Sequence, residues 1–417
     1  MNDIQSIVIV GAGQAGAMAA AALRGLGYGG RLTLVGDEAH PPYERPPLSK
    51  QALQAETPQP AAVHPASYYA EQGIELLTGT PARELDLAER TVQLGDGRRL
   101  RYDRCLLATG GRARELPALP RGMPGVHYVR TLDDALALRG ALARDARVAV
   151  IGGGFLGLEI ASTARDLGAA VSVLETAPRV LERALPQPLS DWLAARVRQA
   201  GIDLRLGCRV REISPGTPHA IALQDGTALQ AELAVVAIGL TPDVALAQAA
   251  GLAIDGNGGI RVDAHARTSD PYVYAAGDCA SQPRDGLDGP MRFESWQNAN
   301  EQARTAAAAM LGQAPGAQPV PWFWTDQYGC NIQMLGLPRP GLHYVCRGQS
   351  GDGQPKLLWL GLHDGVPRHG IAVNAGGDLR QLRVLFERGL ALDPDRFSDE
   401  TQPLKALVKA CQAAAAS

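Results

Sequence analysis

The sequence predicts an α/β fold with two Rossmann-like domains and a C-terminal α+β domain. Residues 7–38 and 148–177 repeat one pattern of apolar strand, glycine-rich turn, helix and second strand. Further apolar runs alternate with helical stretches and end at glycine. A proline- and glycine-rich stretch over 312–321 separates them from a segment of alternating apolar residues. These observations indicate two parallel sheets followed by an antiparallel one.

Each copy of the repeat reads as a βαβ unit. A β-branched run leads into the glycine turn, an alanine-rich stretch ending in Leu-Gly follows, and a second apolar run ends near an acid. Three more apolar runs, at 105–108, 234–238 and 272–276, end before Thr109-Gly110, Gly239 and Gly277-Asp278. Because ligands gather at the carboxyl ends of parallel strands, we expect Gly239 and Asp278 to lie at ligand sites. A helical tail is predicted from about Asp399.

Composition excludes several classes of protein. The 417 residues are 46% hydrophobic and 20% charged, which is typical of a globular protein of two or three domains. A formal net charge of -3 gives no basic field for nucleic acid. No signal peptide or membrane-length apolar run is evident, so we expect a soluble cytoplasmic protein. The six cysteines form no CxxC pair or metal-ligand spacing, which predicts free thiols and no metal site.

The first glycine turn has the GxGxxG spacing of a dinucleotide site. We expect Gly11 to allow the tight turn, Gly13 to admit the phosphates and Gly16 to let helix and strand pack closely, with Ala15 between them at the cofactor. The phosphates would then lie at a helix N-terminus, where free N–H groups favour negative charge. Asp37 is the preferred ribose ligand, although an extra glycine precedes it and Glu38 is a rival.

The second turn repeats this spacing with Gly152, Gly154 and Gly157. Glu175 directly follows the next strand, and a carboxylate there binds a ribose diol and repels a 2′-phosphate. This favours NADH over NADPH, although Arg179 lies close enough in sequence to weaken the preference. Two dinucleotide sites in this order predict an FAD-dependent oxidoreductase that takes a hydride from a nicotinamide cofactor.

Motifs along the whole chain resemble the ferredoxin reductase components of bacterial oxygenase systems, the putidaredoxin-reductase-like and biphenyl-dioxygenase-reductase-like flavoproteins. Besides the two glycine turns they are PYERPPLSK at 42–50, ATG at 108–110, RTLDDA at 130–135, AGD at 276–278, ESW at 294–296 and PWFWTDQ at 321–327. The resemblance implies a glutathione-reductase-like arrangement. It assigns 1–112 and 245–318 to an FAD domain, 113–244 to an NAD domain and 319–417 to a C-terminal interface domain.

The resemblance also implies roles for single residues. Asp278 would hold the ribityl chain of FAD, and the other flavin contacts would be Arg45, Ala82, Arg130 and Trp296. Exposed arginines are most often simply solvated, which is the ordinary alternative for Arg45 and Arg130.

Lys50 is one of only four lysines, and an ammonium beside the flavin suits the developing anion of the reduced ring. The resemblance pairs it with Glu159 near the nicotinamide, although an acid early in a helix is also favoured by the dipole alone. Trp324 would lie against the flavin on the route to the acceptor, but Trp322 and Trp324 at alternate positions also fit ordinary strand packing.

The acceptor implied by the resemblance is a small acidic [2Fe-2S] ferredoxin that docks transiently. Arginines at 368, 380, 383 and 388 are candidates for a local basic face, or for ordinary solvated surface. A reductase linked to rubredoxin or nitrite reductase is the alternative within this fold. A scaffold resembling the apoptosis-inducing-factor group is the alternative from another class. Thiol chemistry is disfavoured because no cysteine stands near position 49 or in a CxxxxC pair.

Overall fold

The computed structural model describes residues 4–56, 58–214, 216, 218–284, 289–349 and 355–415. The chain divides into two compact units, each assembled from separate segments. The first comprises Met1–Pro47, Gln59–Arg114 and Leu240–Gln318, and the second comprises Leu48–Pro58, Glu115–Gly239 and Pro319–Ser417. The three-domain division expected from the resemblance remains a prediction. None of the described helices is long and apolar enough to cross a membrane.

The first unit is built on a five-stranded parallel sheet. Its strands, in spatial order, are Val273–Ala275, Arg104–Leu107, Ser6–Val10, Arg31–Val35 and Ile74–Leu77. Its helices are Gln14–Gly25, Ala66–Glu71, Ala245–Ala249 and Trp296–Met310. The strands are buried on both faces, as expected for a parallel sheet covered by helices, and they contribute to two apolar clusters. The Ser295 hydroxyl accepts from the Asn298 N–H and so caps the last helix.

Smaller sheets complete the first unit. One has three antiparallel strands, Ala82–Asp86, Thr91–Leu94 and Arg99–Arg101. Two others have two strands each, Gly111–Ala113 with Leu240–Pro242 and Ile260–Arg261 with Ala280–Ser281.

The second unit contains a second five-stranded parallel sheet. Its spatial order is Asp203–Arg205, Ala170–Leu174, Arg147–Ile151, Leu233–Val236 and Val126–His127. Its helices are Gln51–Gln54, Leu132–Ala141, Phe155–Asp166 and Gln187–Gln199, and the 3-10 helix Pro46–Ser49 precedes the first of them. A three-stranded antiparallel sheet comprises Val210–Ser214, His219–Leu223 and Ala228–Ala231. Thr131 and Asp134 form a capping box that starts helix Leu132–Ala141.

The C-terminal part of the second unit is α+β. Its antiparallel sheet has the spatial order Trp322–Gln327, Cys330–Gly336, Val366–Val373, Lys356–His363 and His343–Gln349. Helices Gly376–Arg388, Pro394–Ser398 and Leu404–Ala414 pack apolar side chains against it. The predicted fold class, two Rossmann-like parallel-sheet regions and a C-terminal α+β region, is therefore confirmed. The helical tail begins slightly before Asp399, and a longer helix before it was not predicted.

Candidate functional site

The first glycine turn joins strand Ser6–Val10 to helix Gln14–Gly25. Gly11 has a φ of +112°, and a Cβ there would overlap the carbonyl oxygen of Ala108. A Cβ at Gly16 would overlap the Gly11 carbonyl oxygen, so helix and strand touch through a bare backbone. A Cβ at Gly13, by contrast, would meet nothing within 4 Å. The turn is closed where it packs on protein and open where phosphates would approach.

The second unit repeats this geometry. Gly152 has a φ of +111°, and a Cβ there would overlap the Ala237 carbonyl oxygen. A Cβ at Gly157 would overlap the Gly152 carbonyl oxygen, whereas one at Gly154 would meet nothing within 4 Å. The two turns therefore share one local structure, as the repeat predicted.

The turns differ at the residue that follows the second strand. In the second unit, Glu175 Oε2 accepts from the Gly153 N–H at 2.6 Å and Oε1 accepts from the Ala177 N–H at 2.7 Å. In the first unit the corresponding position is Gly36, where a Cβ would lie only 2.6 Å from the Ala12 Cβ. In the first unit the Ala12 methyl group occupies this space, so the residue facing it has to be Gly36. In the second unit the turn residue is Gly153, which leaves room for the side chain of Glu175. This explains the extra glycine before the acids of the first copy.

Those acids, Asp37 and Glu38, differ in their surroundings. Glu38 accepts from the Tyr43 hydroxyl and forms an ion pair with Arg45 at 2.7 Å, whereas Asp37 is exposed. Burial alone lowers the pKa of Arg45, but Tyr43, Glu38 and Asp278 outweigh it and raise that pKa above its usual value. Arg45 is thus a fixed cation near Asp278, and the choice of Asp37 as ribose ligand stays a prediction.

Buried amide side chains surround the first turn. Gln302 Oε1 accepts from the Gly277 N–H at 2.6 Å, and Gln14 Nε2 donates to Asn300 Oδ1 at 2.9 Å. A Cβ at Gly277 would lie 3.0 Å from the Ala15 Cβ, so this turn packs closely on the helix. Gln302 Nε2 and Gln14 Oε1 are buried without a hydrogen-bond partner among the described residues. Such buried groups need a partner, which fits a polar ligand or water held at this helix N-terminus.

The remaining predicted cofactor contacts are spread over both units. Ala82 begins a strand of the first unit, and Trp296 is the first residue of its long helix, with Nε1 donating to Glu44 at 3.3 Å. Arg130 and Gly239 belong to the second unit, where Gly239 has a φ of +112° and an added Cβ would meet nothing within 4 Å. Their contacts with a cofactor stay predictions.

A buried ion pair lies in the second unit. Lys50 Nζ is 2.9 Å from Glu159 Oε1, with the side chains 12% and 9% exposed. The Ser49 hydroxyl donates to Glu159 Oε2 at 2.5 Å, and the Thr325 hydroxyl donates to Oε1 at 2.5 Å. The pairing of Lys50 with Glu159 is thus present in the structure, while its part in catalysis stays a prediction. Three donors to one buried carboxylate offset the cost of removing it from water.

Sequence reasoning did not identify the two hydroxyls as site residues. Ser49 precedes Lys50 and Thr325 follows Trp324. Their positions beside predicted site residues were the available signal, but small hydroxyl side chains at such positions are common and uninformative alone.

The strand Trp322–Gln327 carries an aromatic cluster. The rings of Trp322 and Trp324 are stacked, with centroids 4.9 Å apart, and Trp322 Nε1 donates to Gln333 at 3.3 Å. On the other face of the strand, Phe323 packs against Phe155, which begins the helix of the second glycine turn. The Trp324 ring is part of ordinary strand packing as well as a candidate flavin contact, and its functional role stays a prediction.

All six cysteines lie in the described part of the chain, and none is disulfide-bonded. Cys279 follows Asp278 directly and is fully buried, and burial raises the pKa of its thiol. Such a thiol is not converted to a reactive thiolate near neutral pH. Among the described residues, no group of three or more His, Cys, Asp or Glu side chains is arranged to hold a metal ion.

Comparison with known families accounts for nearly the whole chain. A model described as pyridine nucleotide-disulphide oxidoreductase matches residues 5–303. A second model, described as reductase C-terminal, matches residues 322–408.

Individual relatives match along their full length. The chain is 39% identical over 421 residues to putidaredoxin reductase of Pseudomonas putida, covering 99% of each protein. It is 41% identical over 400 residues to the ferredoxin–NAD(+) reductase component of the anthranilate 1,2-dioxygenase system of Burkholderia cepacia, covering 95% of this chain and 98% of the relative. The first relative is named as a reductase of putidaredoxin, and the second as the ferredoxin–NAD(+) reductase of a dioxygenase system.

Solved structures give the same result. The reductase in the covalent putidaredoxin reductase–putidaredoxin complex superposes with a TM-score of 0.92 at 39% identity, covering 98% of this chain and 99% of that one. A NAD-dependent persulfide reductase from A. fulgidus superposes with a TM-score of 0.83 at only 23% identity, covering 98% and 83%. The second likeness shows a shared fold alone, so the chemistry has to be argued from the site residues.

Proposed function

Because the chain belongs to the pyridine nucleotide-disulphide oxidoreductase family, we propose that it is a ferredoxin reductase that carries electrons from NADH, through FAD, to a [2Fe-2S] ferredoxin of a bacterial oxygenase system. The observation that carries this proposal is the pair of glycine turns of one geometry, each open at its middle glycine, within a single chain. A chain with two such sites has the means to bind an electron donor and an electron carrier together.

FAD is assigned to the first unit. The open turn at Gly13 and the helix N-terminus would hold its phosphates, and Asp37 the adenosine ribose. Asp278 would accept hydrogen bonds from the ribityl hydroxyls, with Arg45 as a neighbouring cation that is charged at every working pH. When bound, FAD supplies the conversion of a two-electron hydride into single electrons.

NADH is assigned to the second unit, at Gly152, Gly154 and Glu175. Two backbone N–H groups hold the Glu175 carboxylate on the turn, so its charge is fixed where an adenosine ribose would lie. A carboxylate there accepts from the ribose hydroxyls and repels a 2′-phosphate. This supports NADH as the preferred donor.

Lys50 and Glu159 are assigned to the hydride-transfer step. Lys50 carries a compact positive charge, and Glu159 holds that charge in one place. A preorganised cation stabilises negative charge that develops during the reaction without having to reorient. Trp324 is proposed to lie on the electron route to the ferredoxin.

Thiol-dependent reduction, which the shared fold alone would allow, is not supported. Cys279 directly follows the predicted flavin ligand Asp278 in sequence, and burial raises the pKa of its thiol, which opposes formation of a thiolate.

Steady-state assays with purified electron carriers test the proposal. We expect NADH to support rapid reduction of a [2Fe-2S] ferredoxin, with NADPH less effective and rubredoxin a poor acceptor. Efficient reduction of rubredoxin but not ferredoxin would redirect the proposal to the rubredoxin-linked class. Slow turnover with every carrier would support a binding or scaffold role and contradict a reductase.

A further inference from the structure

The carboxylate of Glu159 is held by more than Lys50. Its Oε1 accepts from Lys50 Nζ at 2.9 Å and from the Thr325 hydroxyl at 2.5 Å, and its Oε2 accepts from the Ser49 hydroxyl at 2.5 Å. Glu159 is 7% exposed and Thr325 is 0% exposed. An ionised carboxylate only accepts hydrogen bonds, so each hydroxyl has to direct its single proton towards it.

A further hydrogen bond orients the Thr325 hydroxyl, and another holds the backbone of Ser49 in place. Gln327 Nε2 donates to the Thr325 oxygen at 3.2 Å, which leaves the Thr325 proton directed to Glu159. The Thr163 hydroxyl donates to the Ser49 carbonyl oxygen at 2.8 Å and so anchors the segment that carries both Ser49 and Lys50. The network is therefore directional, and every one of these side chains is buried except Lys50, which is 12% exposed along its side chain.

We propose that the hydroxyls of Thr325 and Ser49 are positioning groups that hold the Glu159 carboxylate in the orientation that fixes the Lys50 ammonium for hydride transfer. Thr325 lies on the first strand of the C-terminal sheet. This sheet would therefore contribute to hydride transfer from NADH as well as to electron transfer towards the ferredoxin. The kinetic consequence rests on the proposed function, whereas the positioning of Lys50 is a property of the protein alone.

The strand that carries Thr325 has other attachments to the same helix region. Phe323 packs on Phe155 with ring centroids 4.7 Å apart, and the Tyr328 N–H donates to the Ser162 hydroxyl at 2.9 Å. We therefore expect the strand to stay packed against helix Phe155–Asp166 when the Thr325 hydroxyl is removed. The variant Thr325→Val keeps the shape of the side chain and removes both the hydrogen bond to Glu159 and the one accepted from Gln327 Nε2, whereas Thr325→Ser retains the hydroxyl for both.

The small number of lysines makes the position of Lys50 directly measurable. Lys356 has a side chain that is 67% exposed, and Lys405 and Lys409 are exposed on the last helix. In protein labelled with ¹³C at lysine Cε, the Lys50 signal should stand apart from these three in the NMR spectrum. Its loss in Lys50→Arg assigns it.

We expect Thr325→Val and Ser49→Ala to move the Lys50 signal towards those of the exposed lysines, and Thr325→Ser to leave it in place. Stopped-flow reduction of the FAD-loaded protein by NADH should slow by roughly tenfold in Thr325→Val, as expected for a lost hydrogen bond to a charged group. Thr325→Ser should restore the rate, and the apparent Kd for NADH should change by less than about twofold.

Thr33→Val is the matched control. Thr33 is also a buried threonine whose hydroxyl donates to a carboxylate, Glu75 Oε2, at 2.9 Å, but it belongs to the first unit and to no part of this network. It should change neither the Lys50 signal nor the reduction rate. Thermal unfolding and flavin content, measured for every variant, establish that each one is folded.

An unchanged Lys50 signal in folded Thr325→Val, or a Thr325→Ser variant as impaired as Thr325→Val, would overturn the inference. Failure of the proposed function gives a different result, because the wild-type protein itself would then fail to reduce ferredoxin while the Lys50 signal still responded to Thr325→Val.

Discussion

At the scale of single residues, Ala12 and Gly36 share one small space beside the first glycine turn. An added Cβ at Gly36 would lie 2.6 Å from the Ala12 Cβ. Gly36→Ala should therefore destabilise the protein by roughly 1–3 kcal/mol, as overpacking of a core typically does, and reduce retained flavin. Thermal unfolding and flavin content measure both effects.

The same contact predicts a rescue. Ala12→Gly combined with Gly36→Ala moves the methyl group from one side of the contact to the other, and we expect it to recover most of the lost stability. Gly29→Ala, where an added Cβ meets nothing within 4 Å, is the control and should be nearly neutral. Equal destabilisation of the single and double variants would show that steric overlap with Ala12 is not the cause.

Glu175 makes a second prediction at this scale. Its carboxylate accepts from two backbone N–H groups at 2.6 and 2.7 Å. Glu175→Ala removes these bonds and the negative charge, so KM for NADH should rise roughly tenfold while the preference over NADPH narrows. Steady-state kinetics with both donors measure it. Glu212→Ala, an exposed acid on another strand of the same unit, should leave the preference intact. An unchanged preference for NADH over NADPH in Glu175→Ala would contradict the assignment of Glu175 to the ribose site.

At the scale of elements, the C-terminal sheet contains a buried histidine. His369 is 1% exposed, its Nδ1 is 2.8 Å from the Tyr344 hydroxyl, and burial lowers its pKa to about 4. The folded protein therefore keeps His369 neutral, whereas in the unfolded chain His369 is protonated once the pH falls below the ordinary pKa of histidine. The neutral, buried His369 therefore contributes roughly 3 kcal/mol to the free energy of unfolding. This contribution is fully present above about pH 6.5 and is lost as the pH falls towards 4.

The free energy of unfolding as a function of pH tests this contribution. We expect His369→Gln to flatten the decline of stability between about pH 6.5 and 4 relative to wild type. His363→Gln is the control, because His363 is 62% exposed on the neighbouring strand and should leave the slope unchanged. A wild-type slope in His369→Gln would show that His369 does not titrate on unfolding.

The exposed face of helix Gly376–Arg388 carries a candidate docking surface for the ferredoxin. Arg380 and Arg388 are exposed, and Arg383 forms an exposed ion pair with Glu387 at 3.1 Å. The double variant Arg380→Glu with Arg388→Glu should raise KM for ferredoxin several-fold and weaken its salt dependence, since rim charges act mainly on association. Reduction by NADH alone should be unchanged.

A matched charge change checks that this effect is local. Arg99→Glu with Arg101→Glu alters two exposed arginines of the first unit and the same net charge. If both double variants change ferredoxin kinetics equally, or neither does, helix Gly376–Arg388 is not the docking surface.

Helix Gly376–Arg388 was not predicted from the sequence. It begins with Gly376 and Gly377, and glycine disfavours helix, although Leu379, Leu382 and Leu385 have helical spacing and are buried.

The βαβ repeats were predictable because their signals are local: a strand, a glycine turn and an acid follow each other along the chain. Strand ends were less well predicted, since the run at 234–238 is a strand only over Leu233–Val236.

The network around Glu159 was only partly predictable for the same reason. Ser49 and Thr325 lie 110 and 166 residues from Glu159 in sequence, and nothing local to either hydroxyl marks a partner so distant. The pairing with Lys50 came from a resemblance to a family. The reason for Gly36 likewise needed the folded distance to Ala12, because an isolated glycine after a strand has many explanations.

At the scale of the whole molecule, one chain carries two nucleotide-binding turns of the same geometry in separate compact units. The surroundings of the two turns differ, which is consistent with the proposed binding of FAD by one and NADH by the other. The Glu175 carboxylate is hydrogen-bonded to the turn of the second unit, whereas the first turn is followed by Gly36 and lies near Gln14 Oε1 and Gln302 Nε2, which have no hydrogen-bond partner among the described residues. The proposed function therefore requires that both cofactors bind and that electrons pass between them before reaching a ferredoxin.

An anaerobic titration of the purified protein with NADH tests this requirement most directly. We expect a yellow protein with one flavin per chain, whose oxidised-flavin absorption is lost on addition of about one equivalent of NADH and returns when oxidised [2Fe-2S] ferredoxin is added. A protein that stays colourless when supplied with FAD, or whose bound flavin keeps its oxidised spectrum in excess NADH, would contradict it.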